Sequence, residues 1–204
     1  MPETIVVHGA PGSGKTTHGE KLAQLEPEKV FHVSIGNRLR SILLGEVDSQ
    51  FKTEIDRQAA ILAESKPLEH EVVNGVIFEF IDQCPTSSVV LVDGYPRFIE
   101  QLGLFFDSIK LGEHLHLGTI FLNISKQISL ERLLNRGARD GEKQVEEGFA
   151  SWRFDEYQNK TIPTIALLGE LGKLIEVNAE QTVDDVWQNF YDAVDSLTTG
   201  VDKK

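Results

Sequence analysis

Short apolar runs alternate along the chain with longer stretches in which apolar residues recur at helical spacing. The short runs are rich in valine, isoleucine and leucine and end in glycine or polar residues, which is typical of strands buried on both faces. They predict five strands, at Thr4–Gly9, Val30–Val33, Ser88–Gly94, Gly118–Ile124 and Lys173–Val177.

Amphipathic stretches between these runs predict the helices. The strongest signal is Glu69–Gln83, where pairs of apolar residues return every four positions. Pro163 is expected to kink or divide a long helix that begins near Phe149, because proline cannot donate the backbone hydrogen bond of a helix interior. The polar segment from Gly137 to Gly148 is predicted to be a loop. The other predicted helices run from about Lys15 to Leu25, from Ser34 through "GNRLRSILL", from Asp48 to Glu64, through Leu102 and Ile109, from Ser125 to near Arg136, and from Val183 through Val194.

This order of elements predicts the fold class. Strands that alternate with helices form a mostly parallel sheet, so we expect an α/β protein with three layers, α/β/α, around a five-stranded parallel sheet. Ligands of such sheets bind beyond the carboxyl ends of the strands. The chain has 204 residues, of which 40% are hydrophobic, and is expected to form one domain.

Charge and cysteine content narrow the classes of function. The formal net charge of −12 argues against binding to a nucleic acid polymer or an anionic membrane, since both need a basic surface. The single cysteine, Cys84, excludes an intramolecular disulfide and is expected to be a buried apolar residue. No apolar run is long enough to span a membrane, and the N-terminus does not resemble a signal peptide. We therefore expect a soluble, cytoplasmic protein.

The segment "GAPGSGKTT" follows the first predicted strand and opens the first predicted helix. Gly9, Gly14, Lys15 and Thr16 match the pattern G-x4-G-K-[ST] of phosphate-binding loops. In such a loop, backbone N–H groups and the helix N-terminus bind phosphate, the lysine reaches the β- and γ-phosphates, and the hydroxyl can bind Mg²⁺. The pattern predicts a nucleoside triphosphate site formed by Ala10, Pro11, Gly12, Ser13, Gly14, Lys15, Thr16 and Thr17.

A second segment, "VDGYPRFIEQ", follows the third predicted strand. Asp93 stands at the strand end, where the second acidic group of a phosphate-loop protein holds Mg²⁺, directly or through water. Gly94 helps to shape the turn that follows. Arg97 and Gln101 lie one helical turn apart, so a guanidinium can grip a phosphate while an amide pairs with the polar edge of adenine. These residues predict a site for a nucleoside monophosphate (NMP).

The two segments together resemble the adenylate kinase family of nucleoside monophosphate kinases, and the resemblance covers essentially the whole chain. A third segment, "HVSIGNRLR", is similar to the stretch that follows the second strand in that family. The resemblance implies that Arg40 grips the monophosphate and that Gly36 is the family's glycine at this site. It also implies that a backbone carbonyl at Leu68 contacts the adenine.

The resemblance also implies a lid of the short type over the ATP site. Arg132 matches the arginine that stacks on the adenine of ATP, and Arg136 and Arg153 match arginines that face the transferring phosphate. The catalytic set that the resemblance implies consists of Lys15, Arg97, Arg136 and Arg153. The lid carries none of the four cysteines that bind zinc in some long-lid relatives, so structural zinc is not expected. The resemblance implies a single kinase domain, 1–204, that works as a monomer. Its core is formed by 1–33, 85–136 and 150–197. A helical NMP-binding insert at about 34–70 and a short lid at about 137–148 complete the domain.

Some residues of the acceptor site depart from the family pattern. Ile35 stands where the family has a threonine and where pyrimidine monophosphate kinases have an alanine, which weakens the assignment of adenine. Gln101 favours AMP, because the relatives that act on pyrimidines usually carry a different residue. Phe98 replaces a small polar residue beside Arg97 and is expected in the core rather than in a wall of the base pocket.

The lid departs from the pattern as well. The family usually has an arginine followed by two aspartates, and Glu142 takes the aligned position of that arginine. The only arginine followed by an aspartate in this segment is Arg139 with Asp140, several residues before the aligned position. Either Arg139 acts from a shifted position, or the lid closes with one fewer phosphate contact.

The remaining aromatic and imidazole residues are predicted to be structural or solvated. Trp152 and Trp187 lie on apolar faces of predicted helices and are expected in the core. His114 and His116 are expected in a solvated loop. The six histidines share no spacing typical of metal ligands on one element.

The sequence therefore predicts reversible phosphoryl transfer from MgATP to a nucleoside monophosphate, with AMP as the favoured acceptor and two diphosphates as products. Mg²⁺ is the predicted cofactor, held by Thr16 and Asp93 and partly through water. Two alternatives stay open. Ile35 favours a kinase for UMP, CMP or another monophosphate, and the altered lid favours a nucleotide-binding protein of this fold with little kinase activity.

Overall fold

Five parallel strands form one sheet in the computed structural model, which describes residues 1–64, 66–112, 114–136 and 146–199, apart from the Arg136 side chain. The strands lie in the spatial order β2-β3-β1-β4-β5, and each is parallel to its neighbours. The predicted α/β class and five-stranded parallel sheet are confirmed. The strands are β1 (Glu3–Gly9), β2 (Val30–Ser34), β3 (Val89–Asp93), β4 (Leu115–Asn123) and β5 (Leu174–Asn178).

Helices connect the strands and cover the sheet. None of those within the described ranges combines the length and apolar character that a membrane span needs. They are α1 (Lys15–Leu25), α2 (Ile35–Leu43), α3 (Lys52–Arg57), α4 (Ala59–Ala63), α5 (His70–Gln83), α6 (Ile99–Lys110), α7 (Lys126–Arg136), α8 (Glu147–Glu156), a π-helical turn (Tyr157–Thr161), α9 (Ile162–Leu171) and α10 (Val183–Thr199).

Both faces of the sheet are buried, because successive residues of a strand point to opposite sides. Ile5 and Val7 of β1 belong to one apolar cluster, which includes residues of α1, α9 and α10. Val6 belongs to a second cluster, which includes residues of α2, α5 and α6. Each of these three residues is at most 1% exposed. A strand buried on both sides needs apolar residues at successive positions, which explains the continuous apolar run.

The segment predicted as one helix from Asp48 to Glu64 forms two shorter helices, α3 and α4. Gln58 separates them and is buried. Its side-chain amide donates to the carbonyl of Glu54, and its side-chain oxygen accepts the backbone N–H of Glu69 at 2.8 Å. The side chain therefore ties this break to the residues that precede α5, a tertiary contact that helical periodicity does not reveal.

The prediction of a solvated loop at His114 and His116 is wrong. Strand β4 begins at Leu115, three residues before the predicted start, and His116 is part of it. His114 is buried and stacks on Phe78 of α5, with ring centroids 4.7 Å apart. Burial lowers the pKa of His116 to about 4, so this imidazole is neutral at pH 7. Both residues act as aromatic packing groups.

The predicted interruption at Pro163 is confirmed. Helix α8 leads into the π-helical turn, and α9 starts one residue before the proline. Pro163 has no N–H to donate to the preceding turn, and its ring displaces the carbonyl there, which favours a locally wider helix. Helix α8 begins at Glu147, two residues earlier than predicted, so the end of the predicted loop 137–148 is helical. Residues 137–145 of that loop lie outside the described ranges, including Arg139, Asp140 and Glu142.

Candidate active site

A cleft of about 250 Å³ opens beyond the carboxyl ends of three neighbouring strands. The last residues of β1, β2 and β3, which are Gly9, Ser34 and Asp93, all line it. The other walls come from the phosphate loop, from α2, from the segment before α5, and from α8 with the π-helical turn. The cleft is therefore in the position that a parallel sheet favours for ligands.

Most of the predicted site residues meet in this cleft. Of the predicted set, the cleft is lined by Pro11, Gly12, Lys15, Thr16, Ile35, Gly36, Arg40, Leu68, Asp93, Gly94, Arg97, Gln101 and Arg153. Arg136 is the last residue of α7, but its side chain lies outside the described part of the chain. The predicted residues that do not line the cleft are Ala10, Ser13, Gly14, Thr17 and Arg132.

The phosphate loop depends on its glycines, as Gly14 and Gly9 show. Gly14, directly before α1, has a φ of 93°, in the left-handed region that favours glycine. A Cβ atom on Gly9 would lie only 2.5 Å from both the carbonyl oxygen of Leu122 and the hydroxyl of Ser13. The ammonium of Lys15 donates hydrogen bonds to the carbonyls of Gly9 and Ala10, at 3.0 and 3.2 Å. The lysine therefore lies against the loop that it follows in sequence.

Two oxygen-bearing side chains converge at the base of the cleft. The hydroxyl of Thr16 donates to a carboxylate oxygen of Asp93 at 2.5 Å. Asp93 is 3% exposed, and burial alone would raise its pKa. His32, the Lys15 ammonium and the Thr16 hydrogen bond outweigh burial, so the pKa lies below its usual value and the carboxylate is ionised at pH 7. Nε2 of His32 lies 3.8 Å from Asp93, beyond hydrogen-bond distance, so this contact is electrostatic.

Another buried histidine stands beside these groups. His8 of β1 lines the cleft and is 1% exposed. Burial, together with the charges of Lys15 and Arg97, lowers its pKa to about 3. The imidazole is therefore neutral at pH 7 and adds no positive charge to the cleft.

The turn after β3 holds Arg97 through its backbone. The N–H of Arg97 donates to the side-chain oxygen of Gln101 at 2.8 Å, and its carbonyl accepts from the hydroxyl of Thr164 at 3.3 Å. The side chain of Arg97 remains exposed to the cleft, whereas Gln101 is 2% exposed. In this arrangement one lone pair of the Gln101 oxygen is engaged, which leaves its second lone pair and its NH₂ group for a base.

Arg40 faces the cleft from α2. Its guanidinium donates to the side-chain oxygen of Asn37 at 2.6 Å. A Cβ atom on Gly36 would lie 3.7 Å from both terminal nitrogens of Arg40, so the guanidinium extends over this glycine. Ile35 is 6% exposed, and its side chain fills the space beside Gly94. This part of the cleft therefore combines exposed guanidinium groups with an apolar wall.

Arg132 of α7 connects two loops beside the cleft. Its guanidinium donates to the carbonyl of Gly12 at 3.3 Å and to the carbonyl of Ala179, just after β5, at 2.9 Å. These bonds fix the plane of the guanidinium next to the phosphate loop. A fixed, delocalised cation of this kind is suited to stack on a base.

Two aromatic residues that were expected in the core line the cleft instead. Trp152 is 37% exposed and stacks on Phe149, with ring centroids 5.6 Å apart, so its assignment to the core is wrong. Phe98 also lines the cleft, so the expectation of a core position is wrong as well. Its ring and that of His70 are in a T-shaped arrangement, with ring centroids 5.0 Å apart. Trp152 directly precedes Arg153, and this adjacency to a predicted site residue was the available signal. Trp187, by contrast, packs against the core as expected.

The cleft also contains a lysine that the sequence motifs did not indicate. Lys160 belongs to the π-helical turn and lines the cleft with an exposed side chain. Among the described residues, no cluster of three or more histidine, cysteine, aspartate or glutamate side chains is arranged to bind a metal ion.

Comparison with known proteins relates this arrangement to one family. The family model described as adenylate kinase matches residues 7–173, a range that includes all cleft-lining residues. The chain is 30% identical over 189 residues to the adenylate kinase of Nautilia profundicola, which covers 91% of this chain and 93% of that protein. It is 32% identical over 194 residues to adenylate kinase isoenzyme 1 of Sus scrofa, covering 95% and 94%. It is 31% identical over 199 residues to the adenylate kinase of Flavobacterium johnsoniae, covering 95% and 98%.

Proposed function

Because the chain belongs to the adenylate kinase family and is a nucleoside monophosphate kinase, we propose that it transfers the γ-phosphoryl group of MgATP reversibly to AMP, giving two ADP. The observation that carries this proposal is the shared cleft. Lys15 of the phosphate loop, Arg97 and Gln101 line one continuous space. Donor and acceptor can therefore meet without a covalent enzyme intermediate.

The donor site uses the phosphate loop. Residues 10–17 surround the phosphates of ATP, and Arg132 stacks on its adenine. Lys15 donates to two loop carbonyls and exchanges them for β- and γ-phosphate oxygens, which are the stronger acceptors because they are charged. The charge on the transferring group is neutralised by three arginines, which are Arg97, Arg153 and Arg136 at the end of α7. The acceptor phosphate is already an anion, so catalysis needs positioning and charge neutralisation rather than a general base.

The residues at the base of the cleft fit a magnesium ion. Asp93 is ionised and in contact with Thr16, and carboxylate and hydroxyl oxygens are the hard donors that Mg²⁺ prefers. We propose that these two residues hold the ion, partly through water. When bound, Mg²⁺ supplies positive charge to the phosphate oxygens. The rest of the chain contributes to this metal site through His32 and Lys15, which keep Asp93 ionised.

The acceptor site divides into a phosphate part and a base part. Arg40 and Arg97 bind the monophosphate, because both guanidinium groups are exposed to the cleft. Gly36 and Gly94 leave room beside them. The base lies against Ile35 and the segment at Leu68. Gln101 offers its NH₂ group to a ring nitrogen of the base.

One observation favours a second acceptor class. Ile35 is buried and presents only methyl and methylene groups to the cleft. Adenine would find no hydroxyl at this position, and the side-chain oxygen of Gln101 already accepts a hydrogen bond. Pyrimidine monophosphate kinases have an alanine at this position, so they lack a hydroxyl there as well. CMP or UMP is therefore the alternative acceptor.

A panel of acceptors decides between these two forms of the proposal. ATP and Mg²⁺ are supplied with AMP, CMP, UMP, GMP or dTMP, and diphosphate formation is measured as kcat/KM in a coupled assay. We expect the value for AMP to exceed that for each other acceptor by at least about 10-fold, since loss of one paired polar contact is worth roughly 1–3 kcal/mol. A preference for CMP or UMP would reject AMP as the acceptor and keep the kinase assignment.

Further features follow from the proposed reaction. We propose a single kinase domain in which about 34–70 binds the monophosphate and about 137–148 forms the lid. We also propose that ATP and the monophosphate are its only obligatory partners, that Mg²⁺ rather than zinc is its metal, and that it acts as a cytoplasmic monomer. A formal charge of −12 supports a partnership with small nucleotides rather than with nucleic acid polymers.

A further inference from the structure

Lys160 differs from the other lysines that the structure describes. It lines the cleft, its side chain is exposed, and its ammonium group has no hydrogen-bond, ion-pair or cation–π partner among the described residues. Every other lysine within the described ranges has such a partner, and these are Lys15, Lys21, Lys29, Lys52, Lys66, Lys110, Lys126 and Lys173.

The π-helical turn accounts for the position of Lys160. Trp152, Glu156 and Lys160 all line the cleft, at a spacing of four residues. In a continuous α-helix Lys160 would be rotated by about 80° from Trp152, because each residue turns the helix by about 100°. The wider π-helical turn reduces this rotation and keeps Lys160 on the cleft face. Single π-helical turns are frequent at functional sites.

A shared hydrogen-bond donor connects Lys160 with Arg97. The hydroxyl of Thr164 lies 3.2 Å from the carbonyl oxygen of Lys160 and 3.3 Å from that of Arg97. The backbones of the two residues are therefore held side by side at one wall of the cleft. Arg97 belongs to the proposed phosphate part of the acceptor site, so the ammonium of Lys160 is placed within reach of the same phosphate.

The charges around Lys160 favour an anion. Two carboxylates line the cleft within the described ranges, Asp93 and Glu156. Asp93 accepts from Thr16, and Glu156, one helical turn before Lys160, makes no ion pair with it. An exposed lysine without an internal partner, beside guanidinium groups in a concave site, attracts a polyanionic ligand.

We propose that Lys160 binds the phosphate of the acceptor nucleotide and is an additional determinant of acceptor affinity beside Arg97. The proposal rests on transfer to a nucleoside monophosphate but not on the identity of its base. It predicts that the contribution of Lys160 is the same for every monophosphate that the enzyme accepts.

Lys160→Met tests this role, because methionine keeps the apolar stem and the helix propensity while it removes the charge. We expect KM for the acceptor to rise about 10-fold, as for loss of one charge-assisted hydrogen bond, with KM for ATP unchanged. Lys160→Arg should recover most of the loss. The control is Lys126→Met, which removes the same charge from an exposed pair with Asp155 and should leave both constants within about 2-fold of the parent.

A nucleoside without phosphate separates binding from general damage to the cleft. Adenosine is used as a competitive inhibitor against AMP in the parent and in Lys160→Met. We expect its inhibition constant to be unchanged, since adenosine has no phosphate for Lys160 to bind. An equal loss for adenosine and AMP, a higher KM for ATP, or no change at all would each overturn the proposal. If the parent uses CMP or UMP instead, the assignment of AMP fails, and the same test is run with that acceptor and its nucleoside.

Discussion

Individual side chains in the cleft differ in how the chain holds them. Thr16 and Asp93 contact each other, and Lys15 lies against the phosphate loop, so these groups are positioned before any ligand arrives. Arg97 is fixed at its backbone, while its guanidinium stays exposed to the cleft. In the proposed reaction the donor side is therefore preorganised by contacts within the chain, whereas the Arg97 guanidinium on the acceptor side faces the open cleft.

Replacement of Arg97 tests whether this residue acts on the acceptor side alone. Arg97→Ala retains the backbone bonds to Gln101 and Thr164, so the turn should stay folded. We expect KM for the monophosphate to rise by about 10- to 100-fold, because one charge-assisted contact with phosphate is lost. KM for ATP should stay within about 2-fold of the parent. Steady-state kinetics with each substrate varied in turn measures both constants.

The matched control is Arg57→Ala. This arginine is exposed, pairs with Glu69 and does not line the cleft, so its loss should leave both constants nearly unchanged. Equal increases of KM for both substrates in Arg97→Ala would show that Arg97 does not belong to the acceptor side.

The sequence predicted which residue types would carry chemistry in the cleft, but it did not predict all of the contacts that these side chains make. The phosphate-loop pattern identifies Lys15 and Thr16 because each residue type in it has a fixed relation to the helix N-terminus. Gln101 was predicted as a base-reading residue, yet its oxygen accepts from the backbone of Arg97. Lys160 was not predicted, because its position depends on a π-helical turn that α-helical spacing does not reveal.

Helices and strands pack closely where a helix lacks a side chain. Gly19 of α1 lies against His32 of β2, and a Cβ atom on Gly19 would be only 2.4 Å from the imidazole. The side chain of His32 is 6% exposed and lies 3.8 Å from Asp93, so it has little room to move. The close approach of α1 to β2 therefore depends on this glycine and affects the residues around Asp93.

Two glycine-to-alanine substitutions separate packing from helix propensity. Gly103→Ala in α6 adds a methyl group that meets nothing within 4 Å, so it should stabilise the protein by about 1 kcal/mol and raise Tm by roughly 2–4 °C. Gly19→Ala gains the same propensity, but it should lower stability by about 1–3 kcal/mol because it displaces His32. Thermal unfolding of both variants checks the pair. A higher Tm for Gly19→Ala would contradict the close packing of α1 on β2.

The strands were more predictable than the breaks between helices. Burial on both faces gives the central strands β1 and β3 continuous apolar runs, while the edge strand β5 was identified from a short apolar segment although most of its residues are not buried. The start of β4 was missed because His116 was taken as polar, although burial keeps it neutral and it packs against Phe105. The break between α3 and α4 was missed because the contacts of Gln58 link residues that are distant in sequence.

For the whole molecule, the distribution of charge separates the cleft from the rest of the surface. The formal net charge is −12, yet the described lining of the cleft contains more cations than carboxylates. The lining cations are Lys15, Arg40, Lys66, Arg97, Arg153 and Lys160. A cleft of this kind concentrates polyanionic ligands in one place and leaves the rest of the surface unattractive to them.

The overall architecture could be predicted because strand and helix patterns alternate along the entire chain and few topologies accommodate them. The position of the cleft could be predicted from the sheet, since ligands bind beyond the carboxyl ends of parallel strands. The identity of the acceptor base could not be predicted in the same way. It depends on a few ångströms at Ile35, Phe98 and Gln101, where side-chain packing decides which groups remain available.

Conversion of ADP alone tests the central claim most directly. The protein is supplied with Mg²⁺ and ADP as the only nucleotide, and the products are quantified by ³¹P NMR. An enzyme that transfers phosphoryl groups between ATP and AMP must form ATP and AMP in equal amounts from ADP, without any other acceptor. Lys15→Met is the control for contaminating activity and should be slower by roughly 10³-fold, the scale for a cation at a transferring phosphoryl group. Equal formation of ATP and AMP by the parent is the predicted result, and ADP that remains unchanged with active, folded protein would contradict it.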